Sequence, residues 1–177
     1  MKKILVIVDM QNDNITGPLA NDDAKAIVDK IVDYASRFDG NIIATRDTHD
    51  EDYLQSEEGL AFPVPHCICR TEGWRLVPEM EDLLWKCHGS TINKYSHGSC
   101  GLGSLIARKL FDEVKICGVF TDTNVISNAI LIRSYAPGAK VTVLTDLCAG
   151  TTREDGDTAV QAMEACHISC RRSYENG

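Results

Sequence analysis

The chain has 177 residues, of which 44% are hydrophobic and 25% charged, and its formal net charge at pH 7 is -8. These values are typical of one globular domain spanning residues 1–177, and they exclude a collagen-like, coiled-coil or disordered chain. The Lys and Arg residues are scattered, whereas nucleic-acid binding needs clustered positive charge. We therefore expect a small-molecule ligand and no nucleic-acid partner.

The start of the chain and its cysteines bear on location. The apolar run after residue 3 ends at Asp9, which is too short for a signal peptide or a membrane-spanning helix. Eight cysteines without a secretion signal are expected to be reduced thiols in the cytoplasm, in a protein with no membrane partner. Cys67 and Cys69 beside His66 suggest a zinc knuckle, a minor alternative because no second pair follows downstream.

Four short apolar runs rich in β-branched residues predict strands that are buried on both faces. They cover residues 4–8, 41–45, 114–120 and 140–145. Helical spacing of apolar residues predicts helices over residues 23–37, 102–111, 124–135 and 154–166. The alternation of strand and helix predicts a three-layer, Rossmann-like α/β fold, with a mostly parallel sheet and helices on both faces.

The carboxyl ends of the predicted strands are the expected place for a ligand. Asp9, residues 46–47 and residues 120–122 lie at these ends. Between residues 51 and 99 the periodic pattern weakens into clusters of Gly, Pro and polar residues. Long excursions inside a compact domain are usually functional, so we expect this segment to cover the site.

A carboxylate and two imidazoles form a candidate metal site. Asp47 and His49 follow the second strand at positions i and i+2, so their side chains can face the same way. Together with His66 they would suit a divalent ion with open positions left for water or ligand. Each residue alone is a weak signal, because a strand-end Asp or His often only hydrogen-bonds a loop.

Two further residues are notable for their position. Lys94 lies in an apolar-flanked stretch, although most lysines are solvated surface residues. Residues 118–129 read as a strand that turns into a helix, which would place residue 124 at a helix N-terminus. A thiol there would have a lowered pKa and be a good nucleophile, but this chain has Asn124.

Five stretches, taken together and in order, resemble the isochorismatase-like cysteine hydrolases, and the nicotinamidases in particular. They are Val8-Asp-Met-Gln-Asn-Asp13, Arg46-Asp-Thr-His49, Pro65-His66, Lys94 and Gly118-Val-Phe-Thr-Asp122. The resemblance implies an amide hydrolase acting on a small molecule, with Asp9, Lys94 and residue 124 as the catalytic triad. It also implies that the protein assembles as a homo-oligomer.

The same resemblance implies a metal site and an oxyanion hole. The metal, by resemblance zinc although iron and manganese remain open, would be bound by Asp47, His49 and His66, with Glu58 contributing directly or through water. Backbone N–H groups near residues 120 and 124 would form the oxyanion hole, beside a cis peptide bond between Val119 and Phe120.

Three residues depart from the family pattern. Asn14 and His97 stand where the family usually has Phe, and Asn124 stands in place of the cysteine. All three are expected to line one pocket. An amide is a poor nucleophile, so the thioester route is expected to be blocked. Cys100, near the predicted pocket loop, is the candidate for a substitute thiol.

Three hypotheses follow for function. The first is an amide hydrolase of the nicotinamidase type whose covalent catalysis is lost or impaired. The second is an isochorismatase-type hydrolase that uses the strand-end Asp and no cysteine, which fits the metal set poorly. The third is a non-catalytic protein that keeps the pocket and binds a small ligand.

Overall fold

Six parallel strands form one sheet in the computed structural model, which describes residues 1–175. The strands are β1 (Lys3–Val8), β2 (Asn41–Asp47), β3 (Ser90–Lys94), β4 (Glu113–Val119), β5 (Lys140–Ala149) and β6 (Ser169–Arg171). Their order is β3-β2-β1-β4-β5-β6, and each pairing between them is parallel. The predicted α/β fold is confirmed.

Eight helices connect the described strands. They are α1 (Asn12–Ile15), α2 (Asp22–Ala26), α3 (Val28–Ser36), α4 (Glu57–Ala61), α5 (Pro78–Lys86), α6 (Cys100–Lys109), α7 (Ile126–Tyr135) and α8 (Arg153–Ala165). A 3₁₀ turn covers Tyr53–Gln55, and a π-helical turn covers Thr121–Val125. None of the described helices is long and apolar enough to cross a membrane.

Several predicted boundaries were wrong. The helix predicted over residues 23–37 is two helices that meet at Ile27. The strand predicted to reach residue 120 ends at Val119, and β5 runs on to Ala149. The segment of residues 51–99 contains β3 and α5, which the sequence pattern missed because β3 is a half-exposed edge strand without a continuous apolar run.

The core consists of two layers separated by the sheet. Leu5 and Ile7 of β1 belong to one apolar cluster, which includes Ile31 of α3 and Met80 of α5. Alternate residues of the same strand belong to the other cluster, which is completed by α6, α7 and α8. Each fully buried aliphatic side chain contributes about 1.5–3 kcal/mol, so β1 is stabilised from both faces.

The chain reverses its direction of strand addition between β1 and β4. In doubly wound sheets, ligands bind at the carboxyl edge beside such a switch point. Gly118, near the end of β4, has φ +117°, and a Cβ at this position would lie 2.2 Å from the Val8 carbonyl oxygen. Glycine therefore allows the two central strands to end side by side, which brings Asp9 close to residues 119–124.

Candidate functional site

A buried ion pair lies at the carboxyl ends of β1 and β3. Lys94 Nζ is 2.8 Å from Asp9 Oδ2 and 3.0 Å from Asp47 Oδ1. The Asp9 side chain is completely buried, and its Oδ1 accepts a 2.6 Å hydrogen bond from the Thr45 hydroxyl. Removing Lys94 would leave two neighbouring buried carboxylates without their cation, which is strongly destabilising.

The two carboxylates differ in their pKa values. Burial raises the pKa of Asp9, and the neighbouring Asp47 charge adds to the rise, so that the pKa is about 6 despite Lys94. Burial also acts to raise the pKa of Asp47, but the neighbouring His49 imidazole and the Lys94 charge outweigh it and lower the pKa to about 2. Burial acts to lower the pKa of Lys94, and the two carboxylates outweigh it and raise the pKa. Lys94 is therefore a buried cation.

The candidate metal ligands lie beside this pair. One ligand atom from each of Asp47, His49 and His66 falls within 4.8 Å of the others, and all three residues are buried. His49 Nε2 is buried without a hydrogen-bond partner, which an ion bound at this position would supply. Glu58 Oε1 lies 3.8 Å from the same nitrogen. The residues therefore fit a divalent cation with two imidazoles and one or two carboxylates.

The orientation of the His66 ring also suits metal binding. Its Nδ1 lies 2.8 Å from the Val64 carbonyl oxygen. A carbonyl only accepts, so Nδ1 carries the hydrogen and Nε2 is left as the ligand atom. The backbone after His66 is held by Asp13, whose Oδ2 accepts from Cys67 N at 2.7 Å.

The zinc-knuckle alternative fails on geometry. Neither Cys67 nor Cys69 belongs to the cluster of candidate ligands within the described residues. Burial, with nearby carboxylates, raises the pKa of the Cys67 thiol far above its ordinary value. Cys67 is completely buried and therefore packs as a small apolar residue.

Gln11 fixes the backbone of Asp47. Its Nε2 donates to the carbonyl oxygens of Asp47 at 2.9 Å and of Trp74 at 2.8 Å. Asp47 N donates in return to Gln11 Oε1 at 2.7 Å. The fully buried glutamine thus ties the end of β2 to the loop before α5. Sequence reasoning missed this role of Gln11, and likewise that of Asp13, although both lie within the first motif.

A cavity of about 570 Å³ opens in front of these groups. Asn14, His97 and Asn124 all line it, as predicted for one pocket, together with Phe120. The metal-site residues that also line it are Asp47, Glu58 and His66. Apolar walls come from Pro18, Leu19 and Phe62. Two candidate metal ligands, Asp47 and His66, therefore share one cavity with Asn124, the residue at the position expected for the nucleophile.

The three residues that depart from the family pattern, Asn14, His97 and Asn124, take part in specific hydrogen bonds. Asn14 Nδ2 donates to the Asp9 carbonyl oxygen at 2.9 Å. His97 Nδ1 lies 2.9 Å from Asn124 Oδ1. The buried Asn128, which sequence reasoning missed, donates from Nδ2 to the carbonyl oxygens of Asn124 at 2.8 Å and His97 at 3.1 Å. These contacts join the loop before α6 to the start of α7.

Residue 124 lies in the first turn of a helical stretch, as expected, but this stretch begins three residues before the predicted helix and its first turn is π-helical. It lies within the π-helical turn Thr121–Val125, where Val125 N donates to the Phe120 carbonyl oxygen. The wider turn delays the start of α7 until Ile126. The peptide bond between Val119 and Phe120 is cis, as the resemblance implied.

Cys100 lies outside the cavity. It is the first residue of α6 and is exposed, and it is absent from the cavity lining among the described residues. The structure therefore gives no support to Cys100 as a substitute for the missing cysteine.

The fold and the site define a class: a doubly wound parallel α/β protein with a cavity at its switch point and a buried Asp-His-His cluster beside it. The sequence model of the isochorismatase domain matches residues 3–172. The chain therefore belongs to the isochorismatase family. No curated protein sequence matches it.

Solved structures agree with this fold. The pyrazinamidase of Pyrococcus horikoshii in complex with zinc is 26% identical with a TM-score of 0.81, over 97% of this chain and 99% of that one. PnC1 from L. infantum in complex with nicotinate is 23% identical with a TM-score of 0.84, over 97% and 93% of the two chains. The yeast nicotinamidase Pnc1p is 22% identical with a TM-score of 0.84, over 96% and 99%.

Proposed function

We propose that this chain has the architecture of a nicotinamidase-type amide hydrolase for a small ring amide, and that Asn124 closes its thioester route. The observation that carries the proposal is that Asn124 shares one cavity with Asp47 and His66, two of the candidate metal ligands. A ligand bound by its ring at the metal site would point its carbonyl group toward residue 124. Structures similar to this one include an enzyme with zinc and one with nicotinate.

The chain's own residues account for the lost step. With a cysteine at position 124, Asp9 would accept the thiol proton and Lys94 would stabilise the thiolate. The amide of Asn124 offers no comparable anion at neutral pH, so no covalent intermediate forms. A bound divalent ion would orient the ligand through a ring nitrogen. Positioning and an oxyanion hole at residues 120 and 124 leave a residual acceleration of about 10³-fold over water.

The metal, the assembly and the location belong to the same proposal. Zinc is the ion that we expect, because two buried imidazoles and a carboxylate with an open position suit it. We expect a cytoplasmic homo-oligomer, as in the family that the motifs resemble. Metal analysis of the purified protein, sedimentation and cell fractionation test these three points.

A second candidate is a ligand-binding protein without catalysis. The His97–Asn124 hydrogen bond favours it, because it holds two polar side chains in the cavity, where a ligand would contact them. An isochorismatase-type reaction that uses Asp9 alone is disfavoured, because it leaves the buried His49 and His66 without a role.

The test compares the unsubstituted chain with N124C on nicotinamide and a panel of small amides, with zinc content measured for both. T123C is the matched control, because it adds a thiol at the adjacent residue of the same cavity. We expect amidase activity in N124C only. Activity in none of the three, with zinc present, refutes the hydrolase architecture; ligand retained without turnover then supports the binding protein.

A further inference from the structure

His97 has no part in the thioester chemistry, yet the cavity holds it in a defined state. Its Nδ1 lies 2.9 Å from Asn124 Oδ1. An amide oxygen only accepts, so Nδ1 carries the ring hydrogen and Nε2 of the neutral ring keeps a lone pair. Within residues 1–175 no protein group hydrogen-bonds Nε2. His97 is therefore a cavity-lining imidazole with one free basic nitrogen.

The backbone that carries His97 is anchored on both sides. Lys94 Nζ donates to the Ser96 carbonyl oxygen at 3.1 Å. Asn128 Nδ2 donates to the His97 carbonyl oxygen at 3.1 Å, and Ser99 N donates to Asn128 Oδ1 at 3.0 Å. Asn128 is completely buried. The imidazole is exposed, but its position is set by buried groups.

The partner of His97 is equally fixed. Asn124 is 5% exposed, and its carbonyl oxygen accepts from Asn128 Nδ2 at 2.8 Å. A side chain that accepts from one imidazole nitrogen sets the tautomer and leaves the other nitrogen to take a proton. The pair thus has the two parts of an oriented general base, an imidazole and a group that orients it.

We propose that His97, oriented by Asn124, is a general base that activates water against small aromatic carboxylic esters. This inference rests on the function proposed above in one respect, which is that the cavity binds acyl compounds. Phe62 and Phe120 supply aromatic walls in a cavity of about 570 Å³. Esters are favoured over amides because an alkoxide or phenoxide leaves more readily than an amine, and an activated water is a weaker nucleophile than a thiolate.

The reaction needs only water and the ester. Nε2 of His97 takes one proton while the water oxygen forms a bond to the acyl carbon, and the carbonyl π electrons move to oxygen. When the C=O bond re-forms, the ester C–O bond breaks and its electron pair leaves with the alkoxide or phenoxide. The imidazolium returns its proton to that oxygen. The products are one carboxylic acid and one alcohol or phenol.

The experiment measures hydrolysis of 4-nitrophenyl benzoate and 4-nitrophenyl acetate by the unsubstituted chain, H97A, H97Q and H88N. His88 is the matched control, because it is exposed at the opposite end of β3 and has φ +52°, which Asn tolerates. We expect kcat/KM to fall about 100-fold or more in H97A and H97Q, mainly through kcat, and to be unchanged in H88N. Free imidazole should restore activity to H97A, where the deleted ring leaves space, and not to H97Q.

A second readout does not depend on turnover. Ring ¹⁵N shifts of His97 should report a hydrogen on Nδ1 in the unsubstituted chain, and N124A should lose this preference. Thermal unfolding of each variant checks that it is folded. If H97A is unfolded, the ester assay relies on H97Q, which keeps more of the side-chain volume. The proposal is overturned if H97Q hydrolyses the esters as fast as the unsubstituted chain, or if the ring hydrogen of His97 lies on Nε2.

The two proposals can fail separately. If N124C has amidase activity but the His97 variants hydrolyse the esters as fast as the unsubstituted chain, only the general-base proposal is overturned. Loss of ester hydrolysis in H97Q, without amidase activity in N124C, supports His97 and overturns the amide-hydrolase architecture.

Discussion

Gln11 and Asp47 exchange two hydrogen bonds across the ends of β1 and β2: Gln11 Nε2 donates to the Asp47 carbonyl oxygen, and Asp47 N donates to Gln11 Oε1. The side-chain amide of Gln11 therefore hydrogen-bonds both backbone groups of Asp47, a candidate metal ligand, as a neighbouring strand would. Asp47 also contacts Lys94, so the same clamp positions the charged pair and the metal site.

Replacing Gln11 should loosen the metal site. Q11A leaves buried backbone groups of Asp47 unpaired, which costs about 1–3 kcal/mol for each group. Zinc affinity should fall about 10- to 100-fold, as for other groups that orient ligands. Zinc titration and urea unfolding measure the two effects. Q161A, on the exposed face of α8, is the control and should change neither.

Zinc should stabilise the fold through the same residues. At a free zinc concentration 100 times the Kd, the free energy of unfolding should rise by about 2.7 kcal/mol. H49A should abolish this gain, because it removes a buried ligand atom. H167N, at an exposed position with φ +60°, is the control. An equal gain in H49A would place the ion elsewhere.

Gly118 should be the least replaceable residue of β4. In G118A the added Cβ meets the Val8 carbonyl oxygen at 2.2 Å, at φ +117°. We expect a loss of about 3 kcal/mol or more, from the sum of backbone strain and overpacking. G138A has no atom within 4 Å of its Cβ and should change stability by less than about 0.5 kcal/mol. Chemical denaturation compares the two.

Asn128 should hold the cavity wall together. N128A leaves the carbonyl oxygens of His97 and Asn124 and the N–H of Ser99 without their partner, which should cost about 1–3 kcal/mol. Amide hydrogen exchange should increase at Ser99. S134A on the exposed face of the same helix is the control. Unchanged exchange at Ser99 would contradict the anchoring role.

Thiol reactivity should follow exposure. Cys87, Cys100 and Cys166 are exposed, and iodoacetamide should modify them first. Cys67 and Cys117 are completely buried, and burial raises the pKa of both thiols, so they should react only in denaturant. Mass spectrometry of the labelled protein gives the order. Cys100 reacting far faster than Cys87 and Cys166 would restore it as a candidate nucleophile.

The sequence by itself determined the central strands and pointed to the candidate metal ligands, but not to the supporting roles of Gln11, Asp13 and Asn128. Residues 4–8 and 114–119 are continuous apolar runs because both faces of the sheet are covered, and this pattern is local. Asp47 and His49 are close in sequence on one strand end, so their shared direction is also local. The motifs predicted the family, and the family resemblance predicted the cis peptide bond between Val119 and Phe120.

The tertiary structure alone decided how these residues meet. His66 reaches His49 because Asp13, far away in sequence, holds the backbone of Cys67. Lys94 lies at the end of an edge strand whose sequence carries no clear strand pattern, so only the family resemblance grouped it with Asp9, and its contact with Asp47 was not predicted. The His97–Asn124 hydrogen bond depends on Asn128, because such long-range pairings follow from packing and not from spacing along the chain.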